Sequence, residues 1–222
     1  MTMFVKMWMT QDVVTVDGDT PILEARDVMK QHSVRRLPVV HKGELVGIVT
    51  KGDVQEAGPS DATSLSIWEL NYLLARTRVK DIMTGSEELI TVAPDDPIEQ
   101  VALLMRERKV SGLPVLDNDK LVGIITESDI FAVLLSVMGV RRGGSRLTLA
   151  LEDVPGRLAG ALEVIKQHEA NVLSLVTCED CQPDSEDAES TTVVTIRIED
   201  YDFRKIVDDL KSAGVRVLDA QN

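Results

Sequence analysis

The sequence is poor in the residues that most often carry chemistry. Cys178 and Cys181 are its only cysteines, so no disulfide framework staples the fold, and their scarcity agrees with a reducing, cytoplasmic setting. His32, His41 and His168 are its only histidines and lie scattered. With no nucleophile beside a base, no paired catalytic carboxylates and no metal cluster in the pattern, an enzyme is not expected. Bases are also scarce, 24 Lys and Arg against 37 Asp and Glu. That balance leaves too little positive charge to neutralise nucleic-acid phosphates, and nucleic acid is excluded as a broad partner. Long apolar runs are missing too. The longest, FAVLLSVMGV at 131–140, is too short to cross a bilayer, and the start lacks a charged segment leading into an apolar one, so no membrane is expected.

What is there is a repeat. Residues 15–53 align without a gap on residues 91–129 at a constant shift of 76, and VKMWMT at 5–10 matches VKDIMT at 79–84 at a shift of 74. Each copy predicts strand, helix, strand, strand, helix. VVTV and LITV read as short strands. Thr20-Pro21 and Asp96-Pro97 read as an N-cap followed by proline at the first helical position. Ile22, Ala25 and Met29 recur at helical spacing, as do Ile98, Val101 and Met105, so one stripe of each helix faces a core. LPVV and LVGIV, then LPVL and LVGII, form hairpins around His41-Lys42-Gly43 and Asp117-Asn118-Asp119. A second helix follows GIVTKGD in one copy and GIITESD in the other. There Thr50 with Asp53, and Thr126 with Asp129, have the spacing of a capping box. A strand end leading into a helix start is also where phosphates bind, so a cap and a ligand site are both open at these positions.

The pattern VKDIMT, TV, helix, SGLPV, turn, LVGIITESD, present twice, resembles the cystathionine-β-synthase (CBS) domain, and two in tandem resemble a Bateman module. The resemblance implies a regulatory adenine-nucleotide ligand of the AMP, ATP, NAD or S-adenosylmethionine class. It implies that Thr50 and Asp53 serve one ribose and phosphate, and Thr126 and Asp129 the other. Gly47 and Gly123 sit in the hairpins leading to them. The backbone of Val14, Thr15 and Val16, and of Ile90, Thr91 and Val92, with Leu37-Pro38 and Leu113-Pro114, would line the adenine, although a plain core role suits those apolar residues equally. The copies differ before LPV, where Arg35-Arg36 faces Ser111-Gly112 in the alignment. In a chain of net charge −13, a phosphorylated ligand needs local cations, and Arg35 and Arg36 are the candidates.

Between the copies, the apolar helix SLSIWELNYLLARTR at 64–78 carries Trp68 and Tyr72, much of the aromatic content of a chain that is 3% aromatic. It suits either packing within the module or a dimer face. After the linker MGVRRGGS, the segments SRLTLALED, PGRLAGALEVIKQH, NVLSLVT, TTVVTIRIED, DFRKIVDDLKSAG and VRVLDA give βαββαβ, a ferredoxin-like order. DVPGRL at 153–158 with Asn171 resembles the ACT domain, a regulatory module often specific for amino acids. The resemblance assigns a ligand to Asp153, Gly156 and Asn171. The sequence departs from serine-binding members, which have asparagine at the position of Asp153 and histidine at that of Leu151. The acidic hairpin at 178–190 contains Cys178-x-x-Cys181, an incomplete metal set, so no metal is expected.

The expected fold class is therefore α/β (α+β), a CBS pair followed by a ferredoxin-like ACT domain. Its boundaries are 1–57, a linker with the apolar helix at 58–78, 79–138, a linker at 139–145, and 146–222. The whole order resembles acetoin-utilisation AcuB-type proteins. It implies a homodimeric, non-catalytic sensor of acetoin or central carbon metabolism acting on an unidentified partner protein. A dimeric scaffold with vestigial sites is the alternative.

Overall fold

The computed structural model describes residues 3–58, 76–178, 191–199 and 202–222. The apolar stretch expected at 64–75 and the acidic tip at 179–190 lie outside them. The chain divides into two compact units, residues 1–130 and 131–222.

Each copy of the repeat is built alike. The first has α1 (Ile22–Gln31), β1 (Arg36–His41), β2 (Glu44–Thr50) and α2 (Lys51–Glu56); after β3 (Thr84–Gly85), the second has α3 (Ile98–Arg108), β4 (Gly112–Asp117), β5 (Lys120–Thr126) and α4 (Glu127–Val137). The hairpins are antiparallel and in equivalent register, with Arg36 opposite Thr50 and Gly112 opposite Thr126. Two-residue turns close them. Lys42-Gly43 and Asn118-Asp119 all have positive φ, the conformation whose twist matches that of the flanking strands. The expected helical stripes are buried: Ile22, Ala25, Met29, Ile98, Val101 and Met105 are each at most 3% exposed.

Two local expectations are corrected. VVTV and LITV do not form strands. Only Val16 and Val92 make a bridge, to Val39 and Val115. In the first copy a turn at Asp17–Thr20, closed by Thr20 N–H on the Asp17 carbonyl, then carries the chain away. The helix starts also fall one residue later, with Pro21 and Pro97 as caps and no side-chain capping bond. The Asp96 carboxylate instead accepts from Ala93 N–H at 2.7 Å.

The leader of each copy packs on the other copy. Val79, fully buried, joins the core of Ala25, Met29, Leu37 and Val49, flanked by Ile82 and Met83. Val79 N–H donates to Thr20 O, and Thr84-Gly85 pairs with Gly47-Ile48 of β2. Reciprocally, Val5 N–H donates to Asp96 O, and Thr10 bridges Ile124 of β5. This exchange fixes two glycines. A Cβ on Gly47 would lie 2.5 Å from Thr84 O, and one on Gly123 would lie 2.5 Å from Met9 Sδ and 3.1 Å from Thr10 O.

The second unit is a four-stranded antiparallel sheet. It comprises β6 (Ser145–Glu152), α5 (Arg157–Gln167), β7 (Val172–Cys178), β8 (Thr191–Ile198), α6 (Phe203–Ser212) and β9 (Arg216–Gln221), with strand order β7-β8-β6-β9. This is the ferredoxin-like order anticipated from βαββαβ. Its core joins Leu147, Leu149 and Ile196 of the sheet to Ala161, Ile165, Ile206 and Leu210 of the helices. Cys178 is disulfide-bonded.

Candidate functional site

A cleft of about 650 Å³ opens between the two copies of the first unit, a size typical of small-molecule sites. Its floor includes Pro38 of β1 and Ile124 of β5. The second copy contributes Thr126, Glu127 and Asp129 at the start of α4, and the first contributes Val14, Arg35, Arg36, Thr50 and Lys51.

The two Thr/Asp pairs are not in the same state. Thr50 N–H donates to Asp53 Oδ2 at 2.7 Å, and Asp53 N–H donates back to Thr50 Oγ1 at 3.3 Å, a complete capping box. In the second copy both the N–H and the hydroxyl of Thr126 donate to Asp129 Oδ2, at 2.8 and 2.7 Å. Asp129 lines the cleft, whereas Asp53 does not.

Arg36 crosses from one copy to the other. Its Nη2 donates to Ser111 Oγ at 2.7 Å, and its Nη1 is buried with no hydrogen-bond partner. Burial pushes the guanidinium down from its ordinary value, while the charges of Glu127 and Asp129 pull it back up. An arginine stays protonated under such pressure, so the cleft holds a fixed positive charge with an unused donor. Arg35, at the cleft rim, is exposed.

Of the residues singled out from sequence, Val14, Arg35, Arg36, Pro38, Thr50, Thr126 and Asp129 line the cleft together. Leu37 and Leu113 are core residues, 0% and 2% exposed. Gly47 and Gly123 serve the leader exchange. Val16 and Val92 are held in their bridges, and Thr15 borders a separate, smaller cavity beside Val40 and Lys120. Ile90, Thr91, Pro114 and Asp53 do not line this cleft, although Asp53 is hydrogen-bonded to Thr50, which does. Sequence reasoning missed Lys51, Ser111 and Glu127. The signal was present: TKGD and TESD place lysine and glutamate at equivalent positions.

Family models match this unit and the next. The CBS domain matches at residues 5–60 and 79–136, together more than half of the chain. The chain belongs to the CBS domain family. Such domains are regulatory ligand-binding modules. Residues 143–221 match the TTHA0829-like ACT domain. Among curated relatives, the CBS domain-containing protein YhcV of Bacillus subtilis is 32% identical over 144 residues, 65% of this chain and 92% of that protein. Among solved structures, the CBS domain pair of protein MJ0100, in complex with 5′-methylthioadenosine and S-adenosyl-L-methionine, is 29% identical with a TM-score of 0.50, covering 60% of this chain and 97% of that one. A protein of Vibrio cholerae named for acetoin utilization, AcuB, is 26% identical with a TM-score of 0.53, covering 64% and 97%. No helix among the described residues is long and apolar enough to cross a membrane.

The ACT unit has its own cavity of about 600 Å³ between the start of α5 and the turn before β9. Gly156, with φ +95°, lines it, together with Glu152, Arg157 and Arg216. Glu152 and Arg157 are ion-paired across its mouth, Arg157 Nε donating at 2.8 Å. Asp153 and Asn171 do not line it. Asn171 follows the far end of α5, where its carbonyl accepts from Glu199 N–H. The described residues contain no cluster of His, Cys, Asp and Glu able to hold a metal.

Proposed function

We propose that this CBS pair is a non-catalytic sensor whose cleft binds an adenine nucleotide. One observation carries the reading: a single cavity holds the Asp129 carboxylate facing the Arg35, Arg36 and Lys51 cations. A carboxylate can accept from both hydroxyls of a ribose 2′,3′-diol, and guanidinium and ammonium groups complement phosphate. The MJ0100 pair, with its adenosine-derived ligands, supports the nucleoside half of this assignment. The ligand class is AMP, ATP, NAD or S-adenosylmethionine. The protein would act as a homodimer in the cytoplasm on a separate partner protein, and the likeness to AcuB supports acetoin or central carbon metabolism as the setting. A small metabolite such as an amino acid would occupy the ACT unit through Gly156, with Asp153 and Asn171 completing the site only across a dimer.

A second reading has its own support. Asp53 and Asp129 both engage backbone N–H groups at helix starts, which suffices to explain them in a dimeric scaffold with vestigial sites. Calorimetric titration separates the two. AMP is expected to bind the full chain, and Asp129→Ala to weaken it by about tenfold or more, the usual worth of a charged hydrogen bond. No heat and no thermal shift with AMP, ATP, NAD or S-adenosylmethionine would favour the scaffold.

A further inference from the structure

The two walls of the cleft carry unlike charge at positions the repeat makes equivalent. At the shift of 76, Arg35 corresponds to Ser111, Arg36 to Gly112, and Lys51 to Glu127. The first copy thus presents three cations beside one carboxylate, Asp12, and the second presents Glu127 and Asp129 with no cation among the described lining residues. Two related half-sites would ordinarily offer a ligand two equivalent seats. Here Arg36 removes the equivalence. An ideal Cβ built on Gly112 would lie 1.6 Å from Arg36 Nη1 and 2.7 Å from Cζ, so the guanidinium fills the space above its own repeat counterpart. The hydrogen bond from Nη2 to Ser111 Oγ, 2.7 Å, holds it there. Asp129 and Pro38 line the cavity, as do Thr50, Lys51 and Gly52 at the start of α2, while the Asp53 carboxylate, Gly112 and Pro114 do not.

We propose that Arg36, seated over Gly112, closes the Asp53 half of the cleft, so that each chain holds one nucleotide in one orientation, ribose on Asp129 and phosphate toward Arg35, Arg36 and Lys51. The inference rests on the nucleotide reading above. The reverse orientation would set phosphate against Glu127 and Asp129, a juxtaposition of like charges that disfavours it. A second ligand would have to displace the guanidinium from Gly112 and break its bond to Ser111. Glycine and serine at 111–112 are then the receptor for Arg36, which is why the second copy lacks arginines there.

Calorimetry and equilibrium dialysis with AMP and adenosine test the stoichiometry and the orientation. The wild-type chain is expected to bind one AMP, and AMP about tenfold or more tightly than adenosine, because a charged phosphate contact is worth that factor. Asp129→Asn should weaken binding by about tenfold or more, and Asp53→Asn should leave it unchanged. In Arg36→Ala the preference for AMP over adenosine should shrink and a second adenosine should bind, which Asp53→Asn then removes. Two AMP per wild-type chain, or loss of binding with Asp53→Asn and not with Asp129→Asn, would overturn the proposal while leaving the nucleotide reading intact. Failure of the wild type to bind either compound would overturn that reading itself.

Discussion

Gly47 and Gly112 are both kept small by a neighbour, and the kind of neighbour decides what a methyl group would do. Above Gly47 stands a backbone carbonyl, Thr84 O, at 2.5 Å from an ideal Cβ. It cannot move without breaking the pairing of β3 on β2. Gly47→Ala is therefore an overpacking change, expected to cost about 1–3 kcal/mol in urea denaturation. Above Gly112 stands the far end of Arg36, which can swing into solvent. Gly112→Ala should change stability by no more than about 0.5 kcal/mol, yet it should weaken AMP binding by unseating Arg36. Two alanines at sheet glycines thus separate folding from binding, and equal stability losses would contradict the assignment of Arg36 to Gly112.

The helices that follow the hairpins show how far a repeat in sequence implies a repeat in chemistry. Thr50 accepts from Asp53 N–H and caps α2, so Thr50→Ala should cost about 1 kcal/mol. Thr126 turns its hydroxyl to the Asp129 carboxylate instead. Thr126→Ala therefore removes no backbone cap and should shift the urea midpoint less, while releasing Asp129 for a ligand. The hairpins, the buried helical stripes and the Thr/Asp pairs were legible in the sequence because each depends on residues close along the chain. The strand reading of VVTV failed because four β-prone residues form a strand only if a neighbour runs beside all of them, and only Val16 finds one. Thr20 and Asp96 failed as caps because each following proline, with extended ψ, delays the helix by a residue. The reach of Arg36 onto Gly112 joins positions 76 apart, and nothing local announces it. The only trace in the sequence is a charge present in one copy and absent from the other.

A chain of net charge −13 repels a phosphorylated ligand over most of its surface, so gathering Arg35, Arg36 and Lys51 at one cleft confines attraction to the place where binding is useful. The exchange of leaders ties that cleft to the stability of both copies. Residues 5–10 and 79–84 repeat each other, which suggests two self-contained domains, but each leader completes the other copy's fold. The consequence can be measured by native-state hydrogen exchange. Val5 is fully buried and its segment bonds to Asp96, Pro94 and Ile98 at the start of α3. Val5→Ala should therefore loosen α3 rather than α1, by about 2 kcal/mol for a buried apolar truncation, or about thirtyfold faster exchange. Val79→Ala should do the reverse, loosening α1, whose Ala25 and Met29 share a core with Val79. If each variant instead loosened the helix of its own copy, the leaders would not be exchanged. If each loosened its opposite, then a nucleotide bound between the copies, by stabilising either half, stabilises both, and this coupling is what a sensor built from two repeats requires.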